Sequence, residues 1–239
     1  MAFYTAIAGL LIILSHLIGH RFLSAEKSSA GRLSSFASGV SVAYVFLQVL
    51  PKLAYSDLFL AQSELLSSAR WHHHAFLLAM LGLVVFLGVD RLSQRLGQKV
   101  RPRAAFSHFH IIVLIYTLYN FLVGYLLSFY WLVAGGRALF TYALAMSLHF
   151  LLVGYILRRH HPTASFLSVR WWFACAIALG WLASLFQFIP SASMALLLAF
   201  LAGAILVITL KEELRDDSVE EFFVFVLGVV IYTLLLMRI

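Results

Sequence analysis

The chain has 239 residues, 63% of them hydrophobic and 11% charged, with a mean hydropathy of +0.96, against about 45–50% and about 25% in an ordinary soluble domain. Ten Asp and Glu leave too little polar surface to coat a water-soluble globule, so composition excludes a soluble protein and points to an all-α membrane protein. The formal charge of +7 would suggest nucleic acid in a soluble chain, but here the basic residues lie between hydrophobic runs, and a single cysteine, Cys175, excludes a disulfide framework or cysteine-based zinc knuckle.

A membrane-spanning helix needs about 20 mainly apolar residues. Eight segments meet that need, at 2–22, 33–50, 74–92, 111–131, 139–157, 171–189, 194–210 and 222–237. The first lacks a basic leader, carries His16 and His20, and runs straight into further spans, so it reads as a retained helix rather than a signal peptide. Short connections leave no room for a soluble domain, which makes residues 1–239 a single polytopic membrane domain.

Lysine and arginine test the span count, because the cytoplasmic side holds their excess. Of the 17, 13 fall in the first, third, fifth and seventh loops and 4 on the opposite side, which places both termini on the non-cytoplasmic face. Trp71, Trp131, Trp171 and Trp172 fall at segment ends, where indole rings favour the interface. The host membrane expected for so compact a chain is a bacterial inner membrane.

Ionisable groups inside hydrocarbon are costly and therefore informative. His16 and His20, four residues apart, share one helix face and can chelate a divalent metal, although His20 beside Arg21 also reads as an interfacial residue. His72, His73 and His74 stand at the outer mouth of the third segment, either concentrating a cation or forming a wet cap. The pairs His108 with His110 and His160 with His161 read as solvated ends. Deep within the spans remain Gln48, Asn120 and His149, with Asp90 and Glu212 nearer the cytoplasmic side.

Two internal likenesses stand out. The second segment, FASGVSVAYVFLQVLPK, matches the seventh, FLAGAILVITLKEEL, at Phe36 with Phe200 and Gly39 with Gly203, and Gln48 then corresponds to Glu212. The fourth and fifth segments share Val123-Gly124-Tyr125 and Val153-Gly154-Tyr155, small residues of the kind that let helices approach closely.

On these residues the chain resembles the ZIP (Zrt/Irt-like) family of divalent-metal transporters. The resemblance implies eight transmembrane helices in a 3+2+3 arrangement with internal pseudo-symmetry, both termini outside, and zinc or iron held at mid-membrane by the central helices. The seventh segment resembles the family's seventh helix, with Glu212 in place, and LQVLPK resembles its histidine-x-x-Pro-Glu pattern with Gln48 and Lys52 substituted. Where the family has His-Asn-x-Pro-Glu-Gly in helix four, this chain keeps Asn120 and Gly124; of the corresponding helix-five pattern it keeps His149 and Gly154. Losing the carboxylates removes hard anionic ligands, and Leu122 and Leu152 in place of proline restore the helical hydrogen-bond ladder.

The expected function is a divalent-cation carrier of ZIP type with a reduced site: Asn120 and His149 as ligands, Gln48 and Glu212 supporting, and His16, His20, His72, His73 and His74 as auxiliary or entry groups. No catalytic role and no resident cofactor are expected, with zinc or another divalent cation as substrate. The expected partners are the bilayer and a homodimer mate or another membrane protein, without nucleic acid. The alternatives are a transport-inactive regulatory or assembly protein of the same fold, in which Asn120 and His149 tie helices together, and an intramembrane metal hydrolase built on His16, His20, His149 and Asp90 with Ser15 assisting.

Overall fold

The computed structural model describes residues 1–22, 27–62, 73–96, 102–160, 166–213 and 219–238, and every regular element among them is helical. Helix α1 covers Ala2–Phe22, as the sequence predicts. Helix α2 (Lys27–Tyr44) passes through a π-helix (Val45–Val49) into α3 (Leu50–Ala61), so the second hydrophobic segment does not stop at Leu50. The reason is local. Pro51 supplies no N–H to the turn before it and crowds the carbonyl four residues upstream; the π turn, closed by Leu50 N–H to Val45 O, absorbs that misfit and lets the helix continue.

Helix α4 is His74–Leu96, and α5, Pro102–His160, contains both the fourth and fifth predicted segments. It is two helices meeting at Gly135, whose φ of 76° and ψ of −173° suit a residue without Cβ. The chain reverses there. Tyr142 Oη donates to Val123 O at 2.9 Å and the Tyr130 and Tyr142 rings stack 4.2 Å apart, so arms 102–134 and 136–160 run antiparallel. The connection expected between residues 131 and 139 is thus helical on both sides of one glycine. Helices α6 (Phe166–Ser184), α7 (Ser191–Glu213) and α8 (Val219–Arg238) complete the fold; α6 begins earlier and ends earlier than its predicted segment, with a turn before Pro190.

Four described stretches are long and apolar enough to cross a membrane: Gly31–Ala61, His74–Leu92, Val113–Leu151 and Glu220–Arg238. Ala2–Ile18, Val169–Ser184 and Ala192–Val207 are shorter apolar helices. The side-chain distribution is that of an integral membrane protein. On α1, Phe3, Ile7, Leu10, Leu14 and Ile18 face outward at helical spacing, while Thr5, Ser15 and His16 are buried; on α2, Ser34, Ser35, Ser38 and Ser41 point inward. A soluble fold would reverse that polarity, whereas hydrocarbon solvates the apolar stripe and turns polar groups inward.

Three reciprocal glycine crossings hold the bundle. On α2 and α8, Gly39 lies against Phe225 O and Gly228 against Phe36 O; on α4 and α7, Gly82 lies against Phe200 O and Gly203 against Ala79 O. On the first arm of α5 and α6, Gly124 lies against Ile177 O and Gly180 against Phe121 O. Each glycine meets the carbonyl three residues before its partner glycine, and the absent Cβ is what allows the two backbones to touch. The likeness between Gly39 and Gly203 therefore marks two positions that serve the same purpose in different pairs.

Candidate functional site

Three helices converge on one buried polar layer. His16 on α1, Asn120 on the first arm of α5 and His149 on the second are each 14 or 15 residues from the end of the bundle marked by Ala2 and Gly135, a depth of about 21 Å at 1.5 Å per residue. Tyr4 stacks on Trp131 at 4.9 Å, which places the start of α1 beside the hairpin turn and makes the three depths comparable.

Within the layer, His16 Nε2 lies 2.7 Å from Asn120 Oδ1, and Asn120 Nδ2 donates to Tyr116 O at 2.8 Å. Because the amide oxygen only accepts, His16 must donate from Nε2, and its lone pair resides on Nδ1. Tyr119 Oη lies 3.1 Å from His149 Nε2, while His149 Nδ1 is buried without a hydrogen-bond partner among the described residues. Phe150 separates the two pairs, its ring centroid 4.5 Å from that of His16, 5.7 Å from His149 and 5.6 Å from Tyr119. Asn120 and His149 are fully buried, and His16 nearly so. The layer thus offers two imidazoles, an amide and a phenol, all uncharged when His16 and His149 are neutral.

Asn120 and His149, both expected at the centre, occupy this layer, and His16, expected as an auxiliary group, joins them there. Gln48 does not. It donates from Nε2 to Thr141 Oγ1 at 3.2 Å, eight residues and about 12 Å along the second arm from His149. Glu212 is in α7 and His20 in α1, but their side chains lie outside what is described, as does His72 altogether. His73 and His74 stand at the start of α4; His73 Nδ1 is 3.2 Å from Asp57 Oδ2, and Asp57 Oδ1 accepts from Ala75 N–H at 3.0 Å. That histidine belongs to a helix cap. Ser15 Oγ donates to Ile12 O at 2.6 Å within its own helix, so it is not directed at the histidines as the hydrolase reading needs.

Above the histidine layer, toward the hairpin turn, lies a tyrosine cluster that sequence reading missed. Tyr44 Oη and Tyr130 Oη are 2.9 Å apart, Tyr142 donates to Val123 O, and Tyr232 Oη donates to Thr141 O at 2.9 Å. Part of the signal was available: Tyr44 and Tyr232 fall inside their segments, where a phenol needs a partner, whereas Tyr130 and Tyr142 lie near segment ends and read as interfacial. Among the described residues no three His, Cys, Asp or Glu side chains converge as a metal-binding group. Set against known proteins, the chain is matched by no protein-family model and by none of the curated proteins.

Proposed function

We propose that the protein is a membrane carrier of ZIP-like type for a late first-row divalent cation such as zinc, with the layer of His16, Asn120, Tyr119 and His149 as its site. The observation that carries this reading is the fully buried His149 Nδ1, without a hydrogen-bond partner among the described residues, in the same layer as a second imidazole whose tautomer leaves Nδ1 as a lone pair. If His149 Nε2 donates to the Tyr119 oxygen, its Nδ1 is likewise a lone pair, and imidazole nitrogen suits zinc-type cations. The lack of a carboxylate in the layer among the described residues favours weak, readily reversed binding, which a carrier requires and a storage site does not.

Eight crossings with both ends on the non-cytoplasmic side belong to the same reading, supported by the distribution of Lys and Arg and by the two arms of α5. For the grouping of helices, the glycine crossings favour four plus four over 3+2+3. Taking the α5 arms separately and α2 with α3 as one rod, moving each rod four places along the chain turns the α2–α8 crossing into the crossing of α6 with the first arm. The same shift returns α4–α7 to itself. Such parallel halves place a substrate site between them near mid-membrane, where α1 and the second arm bring His16 and His149.

A second reading has one observation in its favour: the bonds of His16 to Asn120 and Tyr119 to His149 already tie three helical rods together, as a non-transporting assembly protein would need. Liposomes holding a metal-sensitive dye separate the two. Zinc influx that falls at least tenfold in a His16→Ala, His149→Ala double variant of unchanged thermal stability supports the carrier; no flux of zinc, iron, manganese or cadmium through the folded parent overturns it.

A further inference from the structure

Lys52 is set apart from the basic residues of the loops. It projects from α3 so that Nζ lies 4.1 Å from the centroid of the buried Tyr130 ring and 3.5 Å from Gln48 Oε1. A lysine that merely snorkels extends its ammonium to the interface; this one folds inward over an aromatic face. Both of its contacts are neutral, and among the described residues no carboxylate pairs with it.

Beside Lys52 opens a cavity of about 260 Å³ between α3, the first arm of α5 and α7. Its other walls are almost wholly hydrocarbon and aromatic, including Phe59, Phe129, Val133 and Leu198. It opens outward rather than into the core: Val133 is 67% exposed and Phe59 41%, on the same surface as the lipid-facing stripes. Tyr130 is five residues from Gly135, so the ammonium lies about 8 Å below the hairpin end of the bundle, at the depth of an acyl chain's first carbons.

The geometry points to a binding site for an anionic amphiphile, whose head group pairs with Lys52 and whose chain lies along Phe59, Phe129, Val133 and Leu198. An ammonium in an apolar groove gains more from a full opposite charge than from a ring face and an amide oxygen, because the attraction between two unit charges grows as the local dielectric falls. The apolar walls select against small hydrophilic anions, which would leave the groove unfilled. The volume is just below the range for ligand pockets, about 300–1,000 Å³, so it takes the head and first carbons while the rest of the chain stays in the bilayer. The head group is a carboxylate of a free fatty acid or the phosphate of a membrane lipid. The site does not touch the histidine layer and stands whether or not the protein transports metal.

Native mass spectrometry of the purified chain in neutral detergent tests this with oleate, phosphatidate and, as the uncharged control, oleyl alcohol. Expected is one retained oleate or phosphatidate per chain, bound at least tenfold more tightly than oleyl alcohol. Lys52→Gln should lower that affinity about tenfold, the equivalent of 1.4 kcal/mol, while Lys52→Arg retains it. Leu198→Trp, which keeps the charge and fills the groove, should also lose the ligand, and serves as the test should Lys52→Gln not fold. Oleate alone assigns the site to fatty acids, and phosphatidate, with or without oleate, to lipid head groups. Equal retention of the alcohol, or anion binding unchanged by both Lys52→Gln and Leu198→Trp, overturns the proposal.

Discussion

Asn120 shows how one side chain orders a polar layer inside a membrane. Its amide cannot be turned over without setting Oδ1 against Tyr116 O, so the orientation is fixed by its own helix, and that in turn fixes His16 as the Nε2–H tautomer. Nitrogen-15 NMR of histidine-labelled protein should therefore report Nε2–H for His16; an Nδ1–H tautomer would contradict the bond to Asn120. The energetic consequence follows the same logic. Asn120→Leu leaves a buried N–H of His16 without an acceptor, a loss of about 1–3 kcal/mol, and thermal unfolding in detergent should show it as a clear fall in midpoint. Tyr119→Phe removes the partner of His149 Nε2 while Nδ1 has none among the described residues, so it should show a fall of the same order, whereas an unchanged midpoint would mean that the Tyr119 bond does not hold the layer. The presence of Asn120 and His149 in the site was legible because polar side chains in hydrocarbon need partners. Gln48 was misplaced because likeness of pattern to Glu212 gives no depth, and the π turn together with α3 carries it to Thr141.

Among the elements, the crossing of α4 and α7 isolates what a missing Cβ contributes. A methyl at Gly82 would meet Phe200 O, whereas one at Gly88, six residues along the same helix, meets nothing within 4 Å. Gly82→Ala should therefore destabilise, by about 1–3 kcal/mol as overpacking does, while Gly88→Ala should stabilise by about 0.5–1 kcal/mol through helix propensity alone. Opposite signs for one chemical change on one helix are the result to look for; two shifts of the same sign would show that propensity, not close approach, governs α4. Element positions were largely legible from the run of apolar residues, since hydrophobicity over about 20 residues is the dominant signal in a membrane helix. Partner choice was not. Val123-Gly124-Tyr125 marked a close approach correctly, but nothing local states that Gly124 meets Ile177 of α6, because a glycine advertises a contact without naming its mate. The extension past Pro51 was hidden for a different reason: a proline usually ends a helix, and the π turn that accommodates it leaves no mark in composition.

For the whole molecule, lipid replaces water as the solvent of the surface, and the large outward residues follow from that: Phe222, Phe223, Leu227, Val230, Ile231, Leu234 and Met237 on α8, with their counterparts on α1 and α4, would aggregate in water. The same solvent fixes orientation through charge, because Lys and Arg are retained on the cytoplasmic side. Two independent features then make one joint prediction. The hairpin turn at Gly135 lies at the end of the bundle shared by the start of α1, where Tyr4 stacks on Trp131, so those two points share one face; the charge of the sequence around residues 91–103 predicts the other face for it. In a Cys175→Ser background, Gly136→Cys should react with a membrane-impermeant maleimide in right-side-out vesicles, and Gln98→Cys only after permeabilisation. Reaction in the opposite order would reverse the orientation while leaving the hairpin intact. Reaction of both without permeabilisation would place positions 98 and 136 on one side, which an arm of α5 that crosses the bilayer between them does not allow, and the count of crossings would fall with it.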